Sequence, residues 1–183
     1  APDTGPLSAP MELSEVAQAG QRFAGLCVLV AEDHPVNELL MNQLLQRLGC
    51  TVRNARDGER AVQQWAQGGV DIVLMDVQMP GMDGLEATRR IRALEIRNGW
   101  PHTPIVAVTA NAMNGDREAC LAAGMDGYTP KPVTPQALIR AMDAALKRAA
   151  GAVFAPPAPP VASEATPAAH HGPSAAGALD LNK

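Results

Sequence analysis

Short apolar runs alternate with helical patterns along most of this chain, and each of four such runs ends in polar residues. Cys27-Val28-Leu29-Val30-Ala31 leads into Glu32 and Asp33, and Asp71-Ile72-Val73-Leu74-Met75 leads into Asp76. Ile105-Val106-Ala107-Val108 leads into Thr109, and Gly127-Tyr128-Thr129 into Pro130, Lys131 and Pro132. Near-continuous apolar stretches of this length are what strands buried on both faces require, and residues 70–76 are read as such a strand. Thr51 to Ala55 is half polar, which suits a strand at a sheet edge. Between the runs, Val36, Leu39, Leu40 and Leu44 recur at helical spacing up to Leu48 and Gly49. Further helices are read over residues 59–67, 85–97, 114–123 and 135–149, the last with Leu138, Met142 and Leu146 on one side. Five strand–helix units in succession argue an α/β fold, a parallel sheet covered by helices on both faces.

Composition narrows the function classes. The chain has 183 residues, enough for one domain and flexible ends. It is 46% hydrophobic but only 3% aromatic, so its core must be built from aliphatic residues and Met. The net charge is -4 and no long Lys/Arg run occurs, so a nucleic-acid partner is not expected. Three cysteines without CxxC spacing suit a reduced, cytoplasmic chain. With no 18-residue apolar run and no signal-peptide pattern, no direct membrane contact is expected; a parent protein anchored in the inner membrane stays compatible. The expected organisation is an N-terminal linker over residues 1–23 with a short helix over 11–23, a domain over 24–150, and a Pro/Ala-rich flexible linker over 151–178. Adjacent His170 and His171 in that linker are read as a chance pair.

In an open parallel sheet, ligands bind outside the carboxyl ends of the strands, where the strand order reverses. Glu32, Asp33, Asp76, Thr109 and Lys131 should therefore meet in one crevice. One acid at a strand end marks only an exposed loop. The full set can hold a divalent cation and place a phosphoryl group on a carboxylate, since phosphoryl transfer needs positioning and charge neutralisation above all. The three acids bring about three negative charges, which Lys131 and a Mg²⁺ ion would nearly balance.

Residues 26–149 resemble a receiver domain of two-component signalling. The resemblance is carried by Glu32-Asp33, the strand ending at Asp76, Met79-Pro80-Gly81-Met82-Asp83-Gly84, Thr109-Ala110 and Lys131-Pro132. Asp33-His34-Pro35-Val36-Asn37 and Gly124-Met125-Asp126-Gly127-Tyr128 look most like receivers attached to hybrid sensor histidine kinases. The resemblance implies a flavodoxin-like, doubly wound, five-stranded parallel sheet of order 2-1-3-4-5 with five helices. It implies that Asp76 takes a phosphoryl group from the phosphohistidine of a histidine kinase or histidine phosphotransfer domain, in a reaction the receiver itself catalyses. Mg²⁺ would be held by Asp33 and Asp76, by Glu32 through a water, and by the Gln78 backbone carbonyl. Lys131 and Thr109 would contact the phosphoryl group, Tyr128 would act with Thr109 as the switch, and Gln78 and Asn111 would tune dephosphorylation. The Lys131-Pro132 bond would be cis, and a weak homodimer is a further expectation. His34 is read as a solvent-facing loop residue. Val133 stands where many free-standing receivers carry Phe.

Other classes fit less well. A phosphatase of the haloacid-dehalogenase type needs a second acid two residues after its nucleophile, and Gln78 stands there. A dinucleotide-binding domain needs a Gly-rich turn where Glu32-Asp33-His34-Pro35 lies. A pseudo-receiver usually lacks an acid, the Thr or the Lys, and a transcription factor needs a DNA-binding domain after residue 150. Residues 178–183 resemble the first residues of a histidine phosphotransfer domain, so residues 179–183 are read as its start and the chain as part of a hybrid kinase. A free-standing single-domain response regulator is the alternative.

Overall fold

The computed structural model describes residues 9–111 and 114–151. Its elements in chain order are α1 (Ala9–Phe23), β1 (Cys27–Ala31), α2 (Pro35–Arg47), β2 (Thr51–Ala55), α3 (Gly58–Ala66), β3 (Ile72–Asp76), α4 (Gly84–Asn98), β4 (Ile105–Thr109), α5 (Asn114–Ala123), β5 (Gly127–Pro130) and α6 (Pro135–Gly151). The strands form one parallel sheet of order β2-β1-β3-β4-β5. This is the expected doubly wound, flavodoxin-like arrangement. The chain steps outward from β1 to β2 and then crosses to β3 on the other side of β1. The order therefore reverses between β1 and β3, the two strands that lead into Glu32 and Asp76.

The apolar runs explain the layering. Every residue of β3 and β4 is buried. Along β1, Val28 and Val30 join Leu44 and Leu45 of α2 and Leu138 and Met142 of α6 in one core layer. Leu29 and Ala31 join Ala61 and Trp65 of α3, Ile91 of α4 and Cys120 of α5 in the other. This is the period-two alternation of a strand with helices on both faces. The half-polar β2 pairs only with β1 and sits at the edge.

Helix limits follow local capping. Asp57 accepts from the Arg60 amide at 2.7 Å and starts α3, and Asp83 accepts from the Glu86 amide at 2.8 Å and starts α4. Gly99, at φ 66°, closes α4 in the left-handed conformation that glycine tolerates best.

The N-terminal helix behaves differently from a linker. Val16, Ala19, Gly20 and Phe23 form one stripe at helical spacing; Ala19 and Phe23 are fully buried in the core layer of α2 and α6. The Phe23 carbonyl accepts from Cys50 Sγ, and Arg22 pairs with Asp143 of α6 at 3.2 Å. The expected boundary at residue 24 thus cuts through a packed contact. Burying a Phe side chain stabilises by about 1.5–3 kcal/mol, so α1 contributes to the fold. The linker expected over 151–178 and the segment 179–183 lie outside the described residues, apart from Gly151 at the end of α6.

Candidate functional site

The crevice at the carboxyl ends of the strands contains the expected side chains. Asp76 is the last residue of β3 and is almost fully buried. Glu32 follows β1 and is fully buried, whereas the adjacent Asp33 is exposed. One oxygen from each of Glu32, Asp33 and Asp76 lies within 4.8 Å of the others. Lys131 reaches in from beyond β5. Its Nζ donates to Asp76 Oδ2 at 2.8 Å and lies 3.0 Å from Glu32 Oε2. The Lys131-Pro132 bond is cis. The Lys131 backbone is tied to the sheet, its amide donating to the Thr109 carbonyl at 2.8 Å.

Backbone amides hold the two buried carboxylates. The His34 amide donates to Glu32 Oε1 at 3.0 Å and the Gln78 amide to Asp76 Oδ1 at 3.1 Å. Burial pushes the Glu32 carboxyl above its ordinary range, and the Asp76 charge adds to that; the His34 amide and Lys131 only partly oppose it. Burial alone would lower the Lys131 ammonium, but hydrogen bonds and charge from Asp76 and Glu32 outweigh it and raise its pKa. Lys131, paired with both Asp76 and Glu32, is the one cation given to the three clustered acids among the described ion pairs. Three carboxylates with oxygens this close and a single lysine leave negative charge that fits a hard cation and its water ligands. Glu32, Asp33 and Asp76 are the side chains that could hold one.

The motif Met79 to Gly84 supports this end of the sheet. Asp83 caps α4, and the Gly84 amide donates to the Val77 carbonyl at 3.1 Å. A Cβ on Gly84 would collide with the Asp76 carbonyl, so only glycine lets α4 start this close to the end of β3.

The side chains of the other expected residues make no hydrogen bond to Asp76 among the described residues. The Thr109 hydroxyl donates to the Asn111 carbonyl at 3.0 Å and accepts from the Asn111 amide at 3.1 Å. The Gln78 and Asn111 side chains are exposed, as is His34. Tyr128 is half-buried against the core layer of α3, α4 and α5, with the Arg117 guanidinium 5.2 Å from its ring centroid.

A second buried charge cluster lies at the opposite, amino-terminal end of the sheet, and sequence reasoning did not identify it. Arg92 of α4 binds both Glu95 carboxylate oxygens at 2.9 and 2.8 Å, Asp126 Oδ2 at 2.8 Å and the Gly124 carbonyl at 2.9 Å. His102 Nε2 is 2.7 Å from Asp126 Oδ1. The Thr103 amide donates to Glu95, the Ile105 amide to Asp126, and Trp65 Nε1 to the Thr103 hydroxyl. The i,i+3 spacing of Arg92 and Glu95 was the available local signal.

The response regulator receiver domain family matches residues 28–143. This chain belongs to that family. It is 42% identical over 125 residues to hybrid signal transduction histidine kinase I of Dictyostelium discoideum, covering 66% of this chain and 7% of that protein. It is similar to the receiver domain of sensor histidine kinase PA1611 of Pseudomonas aeruginosa PAO1, solved with magnesium coordinated in the active-site cleft (42% identity, TM-score 0.59, 70% of this chain and 99% of that one). It is also similar to the Saccharomyces cerevisiae complex of the histidine phosphotransfer protein Ypd1 with the Ssk1 receiver domain (30% identity, TM-score 0.63, 69% of this chain and 93% of the matched chain). The chain spans between 7% and 13% of the length of curated relatives of this kind. Among receivers, it is closely related to those of hybrid sensor histidine kinases.

Proposed function

We propose that Asp76 is the phosphoacceptor of a phosphorelay receiver within a hybrid histidine kinase. The observation that carries this is one carboxylate at the end of the central strand, hydrogen-bonded to Lys131 and clustered with two further acids. A carboxylate oxygen of Asp76 attacks the phosphorus of a phosphohistidine. The new O–P bond forms as the N–P bond breaks, and the imidazole nitrogen leaves with the electron pair. Lys131 orients the Asp76 carboxylate and then pairs with a phosphoryl oxygen. Asp33, Asp76, Glu32 through a water, and the Gln78 carbonyl would hold Mg²⁺, which when bound supplies positive charge against the phosphoryl oxygens. Thr109 exchanges its Asn111 contact for a phosphoryl oxygen, and Tyr128 follows it. Gln78 and Asn111 flank the path of hydrolytic water and set the lifetime of the aspartyl phosphate.

The donor is a histidine kinase or histidine phosphotransfer domain, docked on α2. Val36, Leu39 and Leu40 sit at helical spacing just after the acids and are 65%, 58% and 37% exposed. An apolar helical partner can cover that face and present its histidine to the crevice. No described helix is long and apolar enough to cross a membrane; we place the domain in the cytoplasm, where phosphohistidine donors and Mg²⁺ meet.

The test is incubation with acetyl phosphate and Mg²⁺, followed by borohydride trapping and mass spectrometry. The adduct is expected on Asp76 and nowhere else. Labelling of Asp76→Asn to wild-type extent overturns the assignment. Asp33→Asn should lose most Mg²⁺ affinity and labelling, and Glu32→Gln less of both.

A further inference from the structure

Thr109 and Tyr128 are held by neighbouring parts of the chain. Ala107 of β4 pairs with Tyr128 of β5, and Thr109 is two residues beyond Ala107. The pleat therefore puts Thr109 and Tyr128 on the same face, toward α5. Thr109 is closed onto Asn111, just after β4. Tyr128 lies under the guanidinium of Arg117, an exposed residue of α5. Among the described residues Arg117 forms no salt bridge, and its guanidinium faces the Tyr128 ring.

We propose that Arg117 is the positioning residue that holds Tyr128 in its half-buried setting beside α5 while Asp76 is unphosphorylated. This rests on the phosphoacceptor reading above. A contact made in one of two states biases the equilibrium by the whole of its strength. An exposed guanidinium stacked on such a half-buried ring favours its state by about two- to fivefold. Turning Thr109 toward a phosphoryl group and moving Tyr128 after it breaks that stack. Removing Arg117 therefore favours the switched state and, by linkage, tightens binding of a phosphoryl mimic by up to the same factor.

The chain has one tyrosine, so incorporated fluorotyrosine gives a single fluorine NMR resonance that reports Tyr128. The full chain is compared as wild type, Arg117→Ala and Arg117→Lys, with and without Mg²⁺ and beryllofluoride. In wild type, beryllofluoride should move the resonance. In Arg117→Ala, the free resonance should already lie part of the way toward the bound position. Half-saturation by beryllofluoride should fall by up to about two- to fivefold, a quantity that a change in local shielding alone does not alter. Arg117→Lys keeps the cation and should stay near wild type. Unchanged half-saturation in Arg117→Ala, or weaker binding, overturns the proposal. If wild type binds beryllofluoride but its resonance stays still, Tyr128 is no switch and the proposal falls while the phosphoacceptor reading survives. If wild type fails to bind it at all, both fall together.

Discussion

The two buried charge clusters of this domain stand at opposite ends of one sheet and are built to opposite rules. At the amino-terminal end, Glu95 and Asp126 both pair with Arg92, and backbone amides, His102 and a carbonyl take up the remaining hydrogen-bonding positions. At the carboxyl end, three acids cluster around a single lysine that pairs with two of them, Asp76 and Glu32. A closed network fixes α4 and the strand entries in place. An open one keeps excess negative charge where a cation and a phosphoryl group can use it. Buried charges are tolerated when paired and hydrogen-bonded; the end that breaks this rule is the functional end.

The comparison can be broken by mutation. Asp126→Ala should have the largest effect, a loss of about 3–5 kcal/mol in denaturant unfolding, because it strips the buried Ile105 amide, His102 and one arm of Arg92 of their shared acceptor. A loss below about 1 kcal/mol would mean that the network is ornamental.

Glu32→Gln should act in the other direction and by less, raising the denaturant midpoint in metal-free buffer near neutral pH. The folded-state pKa of Glu32 is raised, so the stability linked to its protonation is complete below the ordinary value of 4.5 and is lost as pH rises through the folded value. The advantage of Gln should therefore vanish on acidification toward 4.5. Saturating Mg²⁺ should stabilise wild type more than the variant, because at a given ligand concentration tighter binding to the folded state adds more stability. A destabilised Glu32→Gln in metal-free buffer would show that the Lys131 pairing outweighs the burial of the carboxylate.

The smallest effect belongs to an exposed pair, Arg90 with Glu86 at 2.8 Å on α4. Arg90→Ala should cost only about 0.3–0.5 kcal/mol, and less in high salt. A larger loss would undermine the distinction between surface and buried pairs on which the comparison rests.

Much of this was legible in the amino-acid order because its causes are local. Apolar runs such as Ile72 to Met75 can satisfy neither face in water, so they mark interior strands. Asp57 and Asp83 mark helix starts by what their side chains can accept. Asp76, Thr109 and Lys131 were legible because strand ends in a parallel sheet share one side. The N-terminal helix was under-read because its buried stripe relies on Ala19 and Gly20, which carry little hydrophobic signal. Arg92 and Asp126 are 34 residues apart, and nothing local announces their contact.

By itself, the sequence determined the succession of strands and helices and the residue types at the strand ends, since backbone periodicity and side-chain polarity are properties of neighbouring residues. Only the tertiary structure decided how those residues divide the work. Glu32 and Asp33 are adjacent in the chain, yet one is fully buried against Lys131 and the other is exposed. Thr109 turns to Asn111, and Tyr128 lies beneath Arg117. Burial, pairing and rotamer depend on what distant segments bring to the same few ångströms, and those segments meet only when the sheet closes.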